Sequence, residues 1–472
     1  MLEFSRSAEV AAENEDALRE SIWTIEASQG RFRPILARCN YMALQAQMVR
    51  ELKERCPIPI REIVLEGSQT RLDATIRERC GDDRPSAVMV LGLESIAKLD
   101  SLLAAIDQIR EEFRQHCPYP LVLWVSDDVV GKLVRLAPAF TDWCASTEFA
   151  IAPENLLEAL DRRADALFSG ILEQGDRAFA LAESVFGDRA ELEAAVRDLH
   201  QFGQILTPDL AARIEFMRAR NAYESDRMDE ALAWYRQSLE FWQQSQNGER
   251  QGAILFDMGG CHYRQAELNP TASRHHLEAA RANFDQCLEV FERDGRSDLV
   301  AKFIGQLGEV LRRLEDWESL SQLAQTSHQL HETPGEMQVP GNAYRLARDC
   351  GFLAEVALHR EDGVRSKALA TRALEMSNTL PEEERQDRAW YLLLLGRSQR
   401  KLAEIDAAVG SLERAREGDP TANPQLYIKI LKVLQSLYYD EKREYLKAFQ
   451  VRQYRRLVER QFGFRAFIGA GY

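Results

Sequence analysis

The sequence predicts an α/β domain with a parallel sheet over residues 1–160, followed by an all-α superhelical solenoid of helical hairpins over residues 211–460. Three observations predict this. In the first third, short continuous apolar runs alternate with segments of helical period, as a parallel sheet covered on both faces requires. In the second half, a pattern of small residues recurs at fixed internal offsets. Proline and glycine signals there fall between apolar-periodic segments, at Asn269-Pro270, Pro334-Gly335, Pro340-Gly341, Pro381 and Asp419-Pro420.

Residues 10–29 read as an amphipathic helix with Ala17, Leu18, Ile22, Trp23 and Ile25 on its apolar side, ended by Gly30. Residues 32–38 are a strand and 42–55 a helix stopped by Pro57. A second strand at 60–65 and a helix at 71–79 follow. Residues 87–91 form a buried strand, and 96–115 one long helix stopped by Pro118 and Pro120. Another buried strand at 121–126, a helix at 128–136 and a last strand at 147–151 complete the domain.

In such a sheet, ligands bind beyond the carboxyl ends of the strands. The first strand leads into Arg38-Cys39-Asn40-Tyr41, the third into Gly92-Leu93-Glu94 and the fourth into Ser126-Asp127-Asp128. No GxxxxGK[ST] or GxGxxG follows a strand. The module is therefore Rossmann-like without a phosphate loop, lacking the backbone cradle and lysine that a nucleotide needs. Asn40, Glu94 and Asp127 are the candidates for cofactor binding, because a carboxylate after a buried strand is where triphosphatases hold magnesium. The plainer reading has Glu94 and Asp127 capping the helices that follow, and no cofactor is expected. Cys39 sits where nucleophiles occur, but His116 is the domain's one histidine and no elbow motif surrounds the cysteine. Packing under the sheet is the favoured reading of Cys39.

Residues 161–210 read as a helical connector with breaks at Gly170, Gly175, Gly187 and Gly203, and Thr207-Pro208 opens the first hairpin. In the array, Gly308, Leu320, Ala324 and Ser327 lie at offsets 0, 12, 16 and 19. Ala354, Ser366, Ala370 and Ala373 repeat those offsets, as do Gly396, Ala408, Leu412 and Ala415. Ala231, Tyr235 and Ser238, then Gly259 with Ala280, Phe284 and Cys287, and lastly Ser436 with Tyr439 and Ala448, follow the pattern more loosely. Close packing of an antiparallel helix pair requires such residues. The pattern resembles the tetratricopeptide repeat. The anchors Ala219, Gly259, Gly308, Ala354, Gly396 and Ser436 lie 40 to 49 residues apart, against about 34 in that family. Longer helices or longer loops account for the difference. Stacked pairs bury a continuous core and curve around a concave groove, so the expected partner is a protein bound along the repeats.

Net charge is -15, which disfavours general nucleic-acid binding. There is no signal-peptide pattern and no apolar run long enough for a bilayer, so a cytoplasmic protein without membrane attachment is expected. The eight cysteines include no CxxC pair and read as reduced and mostly buried. His275-His276, and His328 with His331 on one helical face, make a poor metal site and read as surface histidines. The tryptophans read mostly as core, with Trp234 the candidate for the groove. From Lys442 to Arg465 there are eight basic residues and two acidic ones, with aromatics interleaved. Arg452, Arg455 and Arg456 are the partner-binding candidates there. A basic helix docking on an acidic surface is favoured over a nucleic-acid stripe. The tail at 461–472 is apolar and glycine-rich, packing back or passing into a further domain.

The phrases ILARCNYMAL, CPIPIREIVL, VMVLGLESI, REEFRQHCPYPLVLWVSDD and RLAPAFTDWCA resemble an N-terminal module of cyanobacterial tetratricopeptide proteins linked to STAND-type signalling triphosphatases. RQFGFRAFIGAG resembles the junction into the triphosphatase domain. The resemblance implies a non-catalytic regulatory scaffold acting with a triphosphatase domain in the same or another chain. The alternative is a degenerate nucleotide-binding module that controls the solenoid.

Overall fold

The computed structural model describes residues 3–67, 69, 71–81, 84–177, 189–333, 341–421 and 423–462. Pro334-Gly335, Pro340, the break at Gly187 and the tail from Gly463 lie outside these. Contacts divide the chain into two compact units, Met1–Leu167 with Glu183–Ser225, and Phe168–Ala182 with Asp226–Tyr472. The stretch read as a connector is shared between them.

The first unit contains α1 (Glu3–Ala27), β1 (Arg33–Cys39), α2 (Met42–Arg55), β2 (Ile60–Val64), α3 (Leu72–Cys80) and β3 (Ala87–Leu91). Then come α4 (Leu99–Gln108), α5 (Arg110–His116), β4 (Pro120–Val125), α6 (Asp127–Leu136), α7 (Pro138–Thr141) and β5 (Ala145–Phe149). It ends with most of α8 (Pro153–Gln174), then α9 (Arg189–Gln201) and α10 (Pro208–Glu224). The five strands are all parallel, in the order β2-β3-β4-β1-β5. Ile35 of β1 faces Val122 on one side and Ala145 on the other. Every residue of β4 is buried, because helices cover both faces of a parallel sheet. One face packs Ile63, Val88, Val90 and Leu123 against Leu102, Ile106, Phe113 and Phe140.

Two helical expectations are corrected. The long helix expected over 96–115 is two helices, α4 and α5, meeting at Ile109, whose φ of -102° and ψ of 12° leave the helical region. There the Asp107 carboxylate accepts the Phe140 amide (2.9 Å) and its carbonyl accepts the Arg110 guanidinium (2.9 Å). Trp23, expected in the core, is 68% exposed. The buried stripe of α1 is Val10, Leu18, Ser21 and Ile25, and Trp23 stands about 140° around the helix from Leu18. That stripe lies along the edge strand. Asn14 accepts the Ala150 amide (2.9 Å) and donates to its carbonyl (2.8 Å), and Ser21 bonds Thr147, so the edge is covered.

The second unit begins with the end of α8 and continues with α11 (Met228–Gln244), α12 (Gly248–Leu268), α13 (Ser273–Arg293), α14 (Ser297–Leu314) and α15 (Trp317–His331). Next are α16 (Asn342–His359), α17 (Gly363–Thr379), α18 (Arg388–Lys401), α19 (Ile405–Arg416) and α20 (Pro424–Ser436). A π-helical turn, Leu437–Glu441, precedes α21 (Tyr445–Gln461). Ala280 stands 21 positions after Gly259 rather than 12, and longer helices account for it, since α12 and α13 have 21 residues each. No described helix is long and apolar enough to cross a membrane.

The recurring small residues sit where the helices touch. Leu320, Ala324, Ser327, Ser366, Ala370, Ala373, Ala408, Leu412 and Ala415 are all buried. A Cβ on Gly308 would stand 2.7 Å from the Phe352 ring, and one on Gly396 2.7 Å from Leu412. Ser366 Oγ donates to the Ala354 carbonyl on the facing helix at 2.7 Å. A second recurrence was not read from the sequence. Asp226, Glu315, Glu361, Ala403 and Arg443 each have φ between 53° and 65°. Each stands in the short turn before the next helix, where glycine was not used.

His331 is a further correction. It is 2% exposed, not at the surface. Nδ1 lies 2.6 Å from the Asp349 carboxylate and Nε2 2.8 Å from the Ala301 carbonyl. Both partners are acceptors, so both nitrogens carry protons. Ser327 Oγ donates to the same carboxylate at 2.6 Å. With both ring nitrogens donating, none is left to act as a base, and the trio ties α14, α15 and α16 together. Burial opposes the charge, but the Asp349 carboxylate and the Ala301 carbonyl outweigh it and raise the His331 pKa. His328 instead lies 3.2 Å from Glu332, so the two histidines do not converge.

Ala403 is exposed in a left-handed backbone. Ala403→Gly is expected to stabilise the chain by about 1 kcal/mol, read from the urea midpoint at constant slope. Because the His331 pKa is raised, its contribution is complete below the ordinary imidazole range and is lost as pH rises through the folded value. The melting temperature of the native chain is expected to fall across that rise and that of His331→Gln to lack this component. Asp349→Ala, which strands a buried cation, is expected to cost about 3–5 kcal/mol.

Candidate partner-binding groove

β1 connects to β2 past β4 and β3, whereas β4 connects to β5 past β1. The chain therefore leaves β1 and β4 in opposite directions, and a ligand crevice is expected between their carboxyl ends. Asn40 and Asp127 both stand there. Asn40 Nδ2 donates to Asp127 Oδ2 (2.8 Å), and the Asp127 amide donates to Asn40 Oδ1 (2.9 Å). Arg38 donates to Asp127 Oδ1 (2.8 Å) and pairs with Glu148 (3.1 Å). Glu94 accepts the Ser126 amide at 2.8 Å. It thus satisfies the start of α6 across the sheet, not the helix after its own strand. Burial would raise the Asp127 pKa, but bonds from Asn40 and Arg38 outweigh it and hold the pKa down.

This edge is closed by its own side chains. Tyr41 Oη donates to Asp198 of α9 at 2.5 Å, and Arg197 of α9 lies 3.8 Å from Asp128. The Cys39 thiol is buried, points at the Tyr41 carbonyl (3.4 Å) and is pushed up to about 12 by that burial, so it supplies no thiolate at neutral pH. The carboxylates of Glu94, Asp127 and Glu148 oppose a phosphate, and the Arg38 guanidinium is already taken by two of them.

A half-buried polar surface is found in the second unit, on the first helix of each pair. Tyr263 of α12 donates to Glu309 of α14 (3.3 Å). Glu309 holds Arg312 at 2.5 Å, and Arg312 reaches Glu355 of α16 (3.6 Å) and lies over the Trp390 ring of α18 (5.2 Å). Trp390 Nε1 closes the circuit on Glu355 (3.1 Å). Arg313 covers the Tyr263 ring at 4.8 Å and pairs with Glu267 at 3.7 Å. Beyond Trp390, Arg348 lies over the Tyr344 and Phe352 rings at 5.6 and 5.5 Å and faces Asp387 at 3.5 Å.

Lys429 of α20 stands among these charges. It is exposed, yet its pKa is lowered, first by loss of hydration among surrounding groups and then by the Arg312 charge. Glu309, Glu355 and Arg397 also act on it, so α14, α16, α18 and α20 bring their charges together. In Glu309, burial works to raise the pKa, and Arg312 overcomes it and lowers the pKa.

The residues singled out in the sequence lie elsewhere. Trp234 is half-buried on α11. Arg452 and Arg456 are exposed on α21, and Arg455 lies 3.6 Å from Glu459. Leu446, Phe449 and Leu457 are exposed on that same helix. The sequence signal for the groove is the residue after each anchor. Glu309, Glu355 and Arg397 each immediately follow an anchor, Gly308, Ala354 or Gly396. A charge beside a close-packed residue on a helix otherwise apolar has to face an opening.

No protein-family model matches the chain. No curated protein is similar to it in sequence. Among solved structures, the chain is similar to the apo form of RapI, at 12% identity and a TM-score of 0.43 over 63% of this chain and 100% of that one. It is similar to BtubC (BKLC) from P. vanneervenii, at 15% identity and a TM-score of 0.36 over 56% and 90%. It is also similar to NprR in complex with its cognate peptide NprX, at 11% identity and a TM-score of 0.36 over 73% and 95%.

Asn40→Ala leaves the Asp127 amide and carboxylate each short of a partner. It is expected to cost about 1–3 kcal/mol in urea unfolding. Millimolar magnesium-ATP is expected to leave the melting temperature of the native chain and the variant unchanged.

Proposed function

We propose that the second unit is a non-catalytic docking array for a protein partner and that the chain is a regulatory scaffold. One observation carries this: a continuous band of acidic, basic and aromatic side chains on successive first helices, half-buried along its length and exposed at Arg397 and Lys429. Packed helices stand about 8–10 Å apart, so a band over several of them suits a polypeptide rather than a metabolite. Mixed charge on half-buried side chains favours a specific, oriented partner. The buried small residues at tetratricopeptide offsets support a repeat of that type. The sequence phrases support a cytoplasmic scaffold upstream of a STAND-type triphosphatase, which is then the first partner to examine. The nucleotide-controlled alternative gains no support from a sheet edge whose groups bond one another.

The test is co-purification of the tagged full chain from its host, beside Arg397→Glu with Lys429→Glu, two exposed positions of the groove. A stoichiometric protein that falls at least tenfold with the double variant is the expected result. A partner retained equally by both, or a nucleotide released from the native chain, would overturn the reading.

A further inference from the structure

We infer that the groove face of α14 and α16 is a receptor for an amphipathic helix ending in an acidic turn, and that residues 168–177 of this same chain occupy it as an internal ligand. The inference rests on the docking-array reading and names the partner chemistry of one part of it.

The end of α8 meets this face through its backbone. The last carbonyls of a helix lack internal partners and carry the negative end of its dipole. Here the Leu172 carbonyl accepts from Lys302 Nζ, the Gln174 carbonyl from Arg345 Nη2 and the Asp176 carbonyl from Gln306 Nε2, each at 3.3 Å. The Asp176 carboxylate lies between Arg345 Nε at 3.4 Å and Arg348 Nη1 at 3.1 Å. Lys302 and Gln306 stand on α14 and the arginines on α16. Three cations thus converge on a helix terminus and one carboxylate. Such a site reads backbone and charge, and tolerates any sequence that supplies both.

The rest of the occupant follows helical spacing. Phe168 meets Trp242 edge-on at 6.1 Å and lies beneath Arg250 at 5.0 Å, and Ile171, Gly175 and Asp176 are buried. Positions 168, 171 and 175 form one face, the pattern of a helix laid in a groove. Two glycines permit the approach. Gly175 has a φ of +61°, and a Cβ there would stand 2.5 Å from the Lys302 carbonyl. A Cβ on Gly305 of α14 would stand 2.4 Å from the Asp176 carboxylate.

The fit of the carboxylate is looser than that of the neighbouring pairs. Its contacts of 3.1 and 3.4 Å exceed the 2.5 Å of Glu309 with Arg312 and the roughly 2.7–2.9 Å usual for a charge-assisted bond. Tyr391 Oη, buried beside the site and influenced by Arg348 and Asp387, has no hydrogen-bond partner among the described residues. Long contacts and an unfilled hydroxyl describe an occupant that a better-fitting acidic helix displaces.

The test uses the full chain and a labelled synthetic peptide of residues 164–177. Asp176→Lys sets a cation against Arg345 and Arg348 and is expected to release the segment. The peptide is then expected to bind that variant at least tenfold more tightly than the native chain by fluorescence anisotropy. Adding Arg345→Ala and Arg348→Ala is expected to abolish the gain. Hydrogen exchange is expected to speed up at least tenfold in residues 168–177 of Asp176→Lys while α13 and α15 stay protected. Equal peptide binding to both chains, or a segment that stays protected in a folded variant, would overturn the inference. Partner capture is read separately through Arg397 and Lys429, so the docking reading can fail while the peptide result stands, and the reverse.

Discussion

A helix pair cannot bury its apolar stripe alone, and from α11 to α21 each pair relies on the next. That reliance sets a limit on side-chain size where helices meet. At Gly259 a Cβ would stand 2.5 Å from the Phe284 ring, and at Gly351 2.6 Å from Trp390. The aromatic residues fill space that the small residues leave, so each contact is a matched pair of large and absent. Packing at crystal-like density makes such pairs intolerant of change. The regular placement of everything else on these helices, including the groove side chains, follows from that contact.

Polar groups are used in two different ways. At the sheet edge, Asn40, Asp127, Arg38, Glu94, Tyr41 and Asp198 satisfy one another, and little bonding capacity is left for a ligand. In the array, Glu309, Arg312, Glu355 and Trp390 also bond one another, and the exposed Lys429 and Arg397 lie within electrostatic reach of them. A closed circuit holds a fold together, whereas an exposed charge beside one stays turned to solvent. His331 with Asp349 is of the first kind. It lies in the same array, which shows that burial of the last group separates the two uses.

Residues 168–177 join these two themes. Their close approach depends on Gly175 and Gly305, as helix contacts elsewhere depend on glycine. Their charge is held by Arg345 and Arg348, both buried and both on a first helix. The chain thereby places an acidic helix end against two arginines of its own array.

Local chemistry determined much of this protein. Continuous apolar runs such as 87–91 and 120–125 are strands because a sheet covered on both faces leaves them no polar side. The offsets of 12, 16 and 19 fix helix pairs because helical geometry places those positions on the facing surface. Only the tertiary structure decided what lies opposite. Ile109 breaks a helix where Asp107 bonds a residue 33 positions away. His331 becomes a buried cation because Asp349 and Ala301 come from neighbouring helices. Asp176, in a stretch read as a connector, meets two arginines roughly 170 residues on. Periodicity is a property of neighbours in the chain, and these contacts belong to neighbours in space.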